Sequence, residues 1–339
     1  EISWNFLMKK LNKKNLVVLT MGDPSGIGTE ITIKSWKSKK TRAPFFLIHD
    51  PIYVQKIIKR MGVKVDIKII NQPIDALKCY KKYLPIFPIE IDKKTVLGSP
   101  NIKNSKKILE SIDKAVRFVK NGEASSMVTN PVSKEVINKI NKSFKGHTEY
   151  LAKKDKQKIF CMMMINNKIK NVPLTTHLPL RKVSKHISEK LIIQTSQLIN
   201  RTLKKDFGIA NPKIVITGLN PHCGDKGLLG NEENKIIIPA IKKCKAKKIR
   251  IHGPISADSA FIKSNLQLYD AFLCMYHDQA LIAAKVIDFE NTVNFTAGLS
   301  YVRTSPDHGT GYEIARKFIA NETSLISAIN TSILIASNK

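Results

Sequence analysis

Cysteine is scarce in this chain: five residues in 339, at positions 79, 161, 223, 244 and 274, odd in number and without a Cys-x-x-Cys pair. That excludes a disulfide framework and a cysteine-based zinc knuckle, and it points to a reducing, cytoplasmic setting. Long apolar runs are missing too. IFCMMMI at 159–165 is among the longest, far below the ~20 residues that cross a bilayer, so no membrane span is expected. The early run LVVLTM is shorter than the ~7 to 15 residues of a signal-peptide core and reads as a first strand. A basic stretch opens at Met8, and residues 1–7 are expected to be an upstream extension. Acidic residues are few, 27 against 57 Lys and Arg, for a formal charge of +30. Such a charge suits nucleic acid, an anionic surface or small anionic substrates. Lysines cluster in KKLNKK and KKCKAKKIR but also occupy nearly every exposed-looking helical position, without interleaved aromatics or a nucleic-acid module. A cationic solvated surface is therefore expected, with no specific nucleic-acid site.

What is present is a globular pattern of short apolar stretches divided by turn signals, in a chain longer than one hydrophobic core usually serves. Two lobes are expected. Buried strands are predicted at 16–20, 43–50, 63–70, 125–131, 172–177, 213–222 and 270–278, from their short, apolar, β-branched character. Helices alternate with them. NIKNSKKILESIDKAVRFVKNG sets Ile108, Ile112, Ala115, Val116 and Val119 on one face and stops at Gly122. SEKLIIQTSQLINRTLKK does the same with Leu191, Thr195, Leu198 and Ile199. Alternating elements imply an α/β fold with a largely parallel sheet, and no internal repeat or low-complexity linker interrupts it.

In open α/β sheets ligands gather beyond the carboxyl ends of the strands. Three predicted strands lead into histidine there: His177 after VPLTT, His222 after IVITGLNP and His277 after AFLCMY. Neutral imidazole is the commonest ligand of borderline metals, and three leave room for substrate on the ion. Each histidine taken alone reads equally as a satisfied strand-end residue, and no HExxH-type spacing ties them together. His49 and His252 read as ordinary strand-end residues, and His186 as solvated.

Other strand ends are polar as well. MGDPSGIGTE sets Asp23 and three glycines between a strand and a helix, which fits either a backbone cradle for an anion or a tight structural turn. Its spacing is neither the dinucleotide fingerprint nor a Walker loop. Lys285, Asn294 and Arg303 follow near later strands, and two of them carry the charge that suits a phosphate or carboxylate.

Taken in order, MGDPSGIG, TNPVSK, GHTEYLA, TTHLPLR, LNPHCGDKGLLGNEE, GPISADSAF, MYHDQAL, VNFTAGL and RTSPDHGT resemble the 4-hydroxythreonine-4-phosphate dehydrogenase family from about residue 16 to about residue 315. The resemblance implies an α/β fold of two α/β/α lobes related to isocitrate and isopropylmalate dehydrogenases. It divides the chain into 14–140 with 300–339, holding the cofactor loop, and 141–299, holding the metal histidines and dimer contacts. It implies metal binding by His177, His222 and His277, substrate contacts at His147, Thr148, Lys285, Asn294 and Arg303, and proton-transfer or orienting work for Asp258 and Asp278. His308, Gly309 and Thr310 are the implied nicotinamide-cofactor loop, although Gly311 and Tyr312 stand where Ala-Pro is usual in the isocitrate relatives. Cys223 and Asp225 replace the usual alanine and glutamate beside His222.

The implied reaction is the oxidation of 4-phosphooxy-L-threonine at C3 with NAD or NADP and one divalent metal (zinc, cobalt or magnesium), then decarboxylation to 3-amino-2-oxopropyl phosphate on the route to pyridoxal phosphate. A cytoplasmic homodimer sharing its sites between subunits is implied with it. The alternatives are a paralogous dehydrogenase of 4-phospho-erythronate, of phospho-threonate or of a diol carboxylate, and a non-catalytic basic nucleic-acid binder, against which the three histidines argue.

Overall fold

The computed structural model describes residues 15–338, so the extension expected at residues 1–7 and the Met8 start lie outside it. Twelve strands run through the described residues: β1 (Val17–Leu19), β2 (Phe45–His49), β3 (Ile67–Ile69), β4 (Leu84–Pro88), β5 (Ser126–Val128), β6 (Cys161–Ile165), β7 (Lys170–Pro173), β8 (Lys213–Thr217), β9 (Arg250–Ile255), β10 (Ala271–Cys274), β11 (Val293–Ala297) and β12 (Val302–Pro306). The chain divides into two compact units, residues 15–151 with 300–337 and residues 152–299 with 338.

The first unit orders its strands β3-β4-β2-β1-β5-β12, and every neighbouring pair is parallel. Parallel strands covered on both faces need continuous apolar runs, and VVL and FFLI are completely buried. The helix Ser105–Lys120 buries Ile108, Ile112, Ala115, Val116 and Val119 as its spacing predicts, and Gly122 follows it in the left-handed region at φ 70°. Phe118 of that helix meets the rings of Phe46 and Phe87 edge-on at 5.7 and 5.0 Å. The order reverses at β1, with β2 on one side and β5 on the other, which opens the switch-point edge where ligands collect.

The segment 63–70 corrects one expectation. It forms an edge strand, not a buried one: Ile69 is 53% exposed while Val65 and Ile70 turn inward. Only one side of an edge strand has a partner, so its apolar residues need not all be covered. Five strands, β4, β6, β9, β11 and β12, lie outside the expected set. LPIFP of β4 is framed by prolines and RIHGPI of β9 contains Gly-Pro, signals that ordinarily end strands. CMMMI of β6 has unbranched methionines in place of β-branched residues.

In the second unit the order is β11-β6-β7-β10-β8-β9. β6 runs antiparallel to both β11 and β7, and the rest are parallel. β10 is flanked by β7 and β8, with Leu273 level with Val172 on one side and Ile216 on the other. The three strands thus end at one edge. The helix His277–Asp288 packs back on this sheet through Ala280, Leu281 and Ala284 against Met164, Val215 and Phe272. Two buried asparagines fix its seat, Asn171 Nδ2 donating to the Ala280 carbonyl at 2.8 Å and Asn166 Nδ2 to that of Ala284 at 3.2 Å.

His49, at the end of β2, is a core histidine. Its Nε2 lies 3.0 Å from Thr29 Oγ1, its Nδ1 accepts the Asp50 N–H, and its ring stacks on Tyr53. Burial pulls its pKa down to about 4, against a smaller opposing effect of Asp50. A folded-state pKa below the unfolded value of ~6.5 means that the unfolded chain alone takes up a proton as pH falls from ~6.5 towards 4, so stability is lost in that window. His49 is expected to remove about 2 kcal/mol of stability between pH 7 and pH 5. Urea unfolding at the two pH values, on the wild type and His49→Gln, measures this; an equal loss in both proteins rules it out.

Candidate functional site

The three strand-end histidines leave the same edge of the second unit's sheet, from the neighbouring strands β7, β10 and β8. None is itself a strand residue. His177 lies in the loop after Pro173, His222 in the segment after Thr217, and His277 opens the helix that follows Cys274. The His177 and His277 rings adjoin, with centroids 5.8 Å apart and planes inclined at 41°. Asp278 holds a carboxylate oxygen 3.5 Å from His277 Nδ1. His222 stands in the segment after β8, and Asp258 is an exposed residue after β9 whose carboxyl pKa is lowered, first by the Ser256 hydroxyl. No group of three His, Cys, Asp or Glu side chains closes to metal distance among the described residues of one chain.

Backbone conformation marks the same residues. His177 has φ 46°, and His222, Cys223, Gly224, Asp225 and Lys226 form an uninterrupted left-handed run with φ between 41 and 77°. An L-residue in that region costs roughly 1–2 kcal/mol, and such strain persists only where its surroundings hold it. Cys223 sits inside this run, half-buried, with its thiol pKa raised by burial.

Gln279 went unremarked in the sequence although it lies in MYHDQ. Its Oε1 accepts the Thr217 hydroxyl and the Met275 N–H, both at 2.7 Å, and its Nε2 donates to the Gly218 carbonyl at 2.9 Å. One side chain thereby ties the ends of β8 and β10 together beside two of the histidines. Lys285 lies eight residues along the same helix from His277, roughly 12 Å at 1.5 Å per residue. Its Nζ is 5.6 Å from the Phe289 ring centre. Asn294, on β11 opposite Met164, has a buried Oδ1 without a hydrogen-bond partner. Lys285 and Asn294 thus lie on a helix and a strand of the same unit as the histidine pair.

The first unit holds a second cluster. Arg303 on β12 is 2% exposed and donates from Nη2 and Nε to Thr129 Oγ1 at 2.6 and 3.2 Å. Burial pulls its pKa down to about 10, while Tyr301 and Glu149 act the other way. His147 and Thr148 open the helix His147–Lys154, with the Phe144 ring edge-on to the imidazole. His147 Nε2 is buried without a hydrogen-bond partner. Burial first, then the charges of Arg303 and Lys134, hold the imidazole well below its ordinary pKa and keep it neutral. Lys134 belongs to TNPVSK but was not singled out in the sequence, and in a lysine-rich chain no local signal distinguishes it. A guanidinium, a nearby ammonium and a neutral imidazole with a free nitrogen form an anion-receptive group.

His308, Gly309 and Thr310 lie past β12 at the carboxyl edge of the first unit, beside the glycine loop after β1. Ile27 N–H donates to the Thr310 carbonyl at 2.9 Å, and the Tyr312 hydroxyl donates to Asp23 Oδ2 at 2.7 Å. A Cβ on Gly26 would sit 2.5 Å from the Thr310 carbonyl oxygen, and one on Gly22 2.9 Å from that of Pro131. Those glycines serve close packing of loop on loop. Asp23, nearly buried, has its carboxyl pKa raised by that burial against the hydrogen bonds from Tyr312 and Ser25. Gly309 differs, since a Cβ there would meet nothing within 4 Å.

The chain is similar to known proteins along most of its length. The profile of the pyridoxal phosphate biosynthetic protein PdxA matches residues 40–332. The 4-hydroxythreonine-4-phosphate dehydrogenase of Methylorubrum extorquens is 37% identical over 329 residues, 94% of each chain. The crystal structure of 4-hydroxythreonine-4-phosphate dehydrogenase from Klebsiella pneumoniae superimposes with a TM-score of 0.86 at 29% identity, covering 95% of this chain and 99% of that one. A terephthalate 1,2-cis-dihydrodiol dehydrogenase from Burkholderia xenovorans shares the fold at a TM-score of 0.61 and 22% identity, covering 94% and 98%.

Gly26→Ala is expected to push Thr310 away and loosen the 308–311 loop. Amide hydrogen exchange should rise at least about tenfold there while the β1 and β5 amides keep their protection; unchanged exchange at 308–311 contradicts the packing role.

Proposed function

Because the chain belongs to the pyridoxal phosphate biosynthetic protein PdxA family, we propose that it is an oxidoreductase that converts 4-phosphooxy-L-threonine, with NAD or NADP, to the C3 ketone and on by decarboxylation to 3-amino-2-oxopropyl phosphate. The observation that supports this most directly is the departure of three imidazoles from one edge of three adjacent parallel strands, two of them with rings 5.8 Å apart. That donor set suits a borderline divalent cation such as zinc or cobalt, and magnesium less well, because neutral imidazole is its preferred ligand. His177, His222 and His277 would hold that cation, which would supply Lewis acidity towards the substrate hydroxyl.

The remaining work falls to side chains. Arg303 and His147 bind the phosphate, with Thr148, Lys285 and Asn294 as further substrate contacts; the half-buried, neutral His147 offers its buried Nε2 as a donor that carries no charge of its own. Remote binding of the dianion orients C3 for hydride transfer. Asp278 orients the His277 imidazole through its Nδ1 side, and Asp258 or Asp278 carries the proton released from the hydroxyl. The nicotinamide cofactor is assigned to His308, Gly309 and Thr310, where the open surroundings of Gly309 leave the backbone approachable.

A homodimer that shares its sites completes the reading. The helix that starts with His277 carries Ile282, Val286 and Phe289, 62, 81 and 65% exposed, at the spacing of one helical face. An apolar stripe of this kind suits a second copy of the chain, with an imidazole of one subunit joining those of its neighbour. A cytoplasmic location is proposed with it; among the described residues no helix is long and apolar enough to cross a membrane. The anion-receptive cluster around Arg303 favours a phosphorylated substrate over a diol carboxylate.

With 4-phosphooxy-threonine, NAD+ and a divalent cation, reduced cofactor should accumulate at 340 nm and stop on chelation. His277→Ala should lower kcat by more than about 100-fold, beyond the usual cost of losing an outer-shell partner, with thermal unfolding of the metal-free protein little changed. Mixing inactive His222→Ala and His277→Ala subunits should restore part of the activity. A metal-free His277→Ala enzyme with normal turnover excludes the metal assignment, and failure of every such mixture excludes a shared site.

A further inference from the structure

We propose that Glu233 is the positioning residue for His222, holding the left-handed turn on which that imidazole stands; the inference rests on the metal reading above. Glu233 is 1% exposed, a carboxylate set inside the protein at the start of the π-helical turn Glu233–Ile237. Such turns recur at functional sites. Its hydrogen bonds go to the segment leading into His222: Oε1 accepts the N–H groups of Leu219 and Asn220, both at 2.8 Å, and Oε2 accepts Asn220 Nδ2 at 2.9 Å. Two glycines let the chain fold around it. A Cβ on Gly218 would lie 3.2 Å from Oε1 and one on Gly224 2.7 Å from Oε2. His222 is thus bracketed by residues that touch one carboxylate, at Asn220 before it and Gly224 after it. Neighbouring Glu232 reinforces Asn220, accepting from its Nδ2 at 2.8 Å while taking the Ser184 hydroxyl at 2.6 Å.

The physical need for such an anchor comes from the turn itself. Four of the five residues from His222 to Lys226 carry side chains in a region of backbone space that L-residues avoid, so local preference cannot select this conformation. A buried carboxylate that accepts backbone N–H groups can, because charge-assisted hydrogen bonds are about twice as strong as neutral ones. Its partners lie on the loop and not on the sheet core, so removal of the carboxylate should displace His222 and leave the β-sheet standing. In the sequence Glu232 and Glu233 close the motif LNPHCGDKGLLGNEE with no role of their own, and nothing local tells one from the other.

The test is metal binding by the metal-stripped full-length protein, titrated with Zn2+ against a chromophoric chelator and with Co2+ by its visible absorption. For Glu233→Ala we expect Zn2+ affinity to fall by about 10- to 100-fold, the usual effect of losing an outer-shell partner. The Co2+ band should change shape, and the circular dichroism of the apo protein should not. Glu233→Gln keeps an Oε1 acceptor but turns a donor towards Asn220 Nδ2, and it should fall between the wild type and Glu233→Ala. If Glu233→Ala does not fold, Glu233→Gln decides: weakened binding supports the proposal, and wild-type binding overturns it. His222→Ala, measured in parallel, separates the two levels. Wild-type binding by His222→Ala removes the metal reading and this inference with it; weak binding by His222→Ala beside wild-type binding by Glu233→Ala overturns the positioning role alone.

Discussion

The parallel hydrogen-bonded register of β7, β10 and β8 is the constraint on which the candidate metal site depends. Because Leu273 is level with both Val172 and Ile216, three segments far apart in sequence must end at one edge. Gln279 then bonds the last turn of β8 to that of β10, and Asn171 and Asn166 pin the helix that carries His277. A sheet interior packs at nearly crystalline density, so these ends have little freedom to drift. The turn that bears His222 lies beyond the sheet, and there a buried carboxylate takes over.

The two units solve different electrostatic problems. The second presents imidazoles at one edge of its sheet, a donor set suited to a cation. The first presents a nearly buried guanidinium, Arg303, oriented by Thr129 beside a neutral His147. Arginine suits that place better than lysine because its planar fork is more weakly hydrated and pre-oriented for an oxyanion. The +30 charge of the chain is mostly a different matter: lysines spread over the surface raise the attraction for any anion, but they do not choose one.

The glycines of MGDPSGIG show how a motif can be placed by the sequence while its purpose stays open. A glycine loop at a strand-to-helix turn fits anion binding and close packing equally well in the sequence. The distances at Gly22 and Gly26 favour packing, since Asn130, Pro131 and Thr310 occupy the space a Cβ would need. Around Gly309 the space that a Cβ would need is open. Likewise β3 looked buried because its residues are apolar; its place at the sheet edge was a matter of topology.

By itself the sequence determined the alternation of strand and helix, the apolar faces of helices such as Ser105–Lys120, and the strand ends after which histidine appears. These are local or periodic properties, written in residues a few positions apart. It also carried the ordered motifs by which the family was recognised. The tertiary structure alone decided that β10 lies between β7 and β8, that Lys134 acts on His147, and that Gln279 and Glu233 turn inward to hold the loops between the histidines. Those facts depend on pairing across tens to more than a hundred residues, where a glutamate or glutamine has the same local signature whether it faces water or a buried backbone N–H.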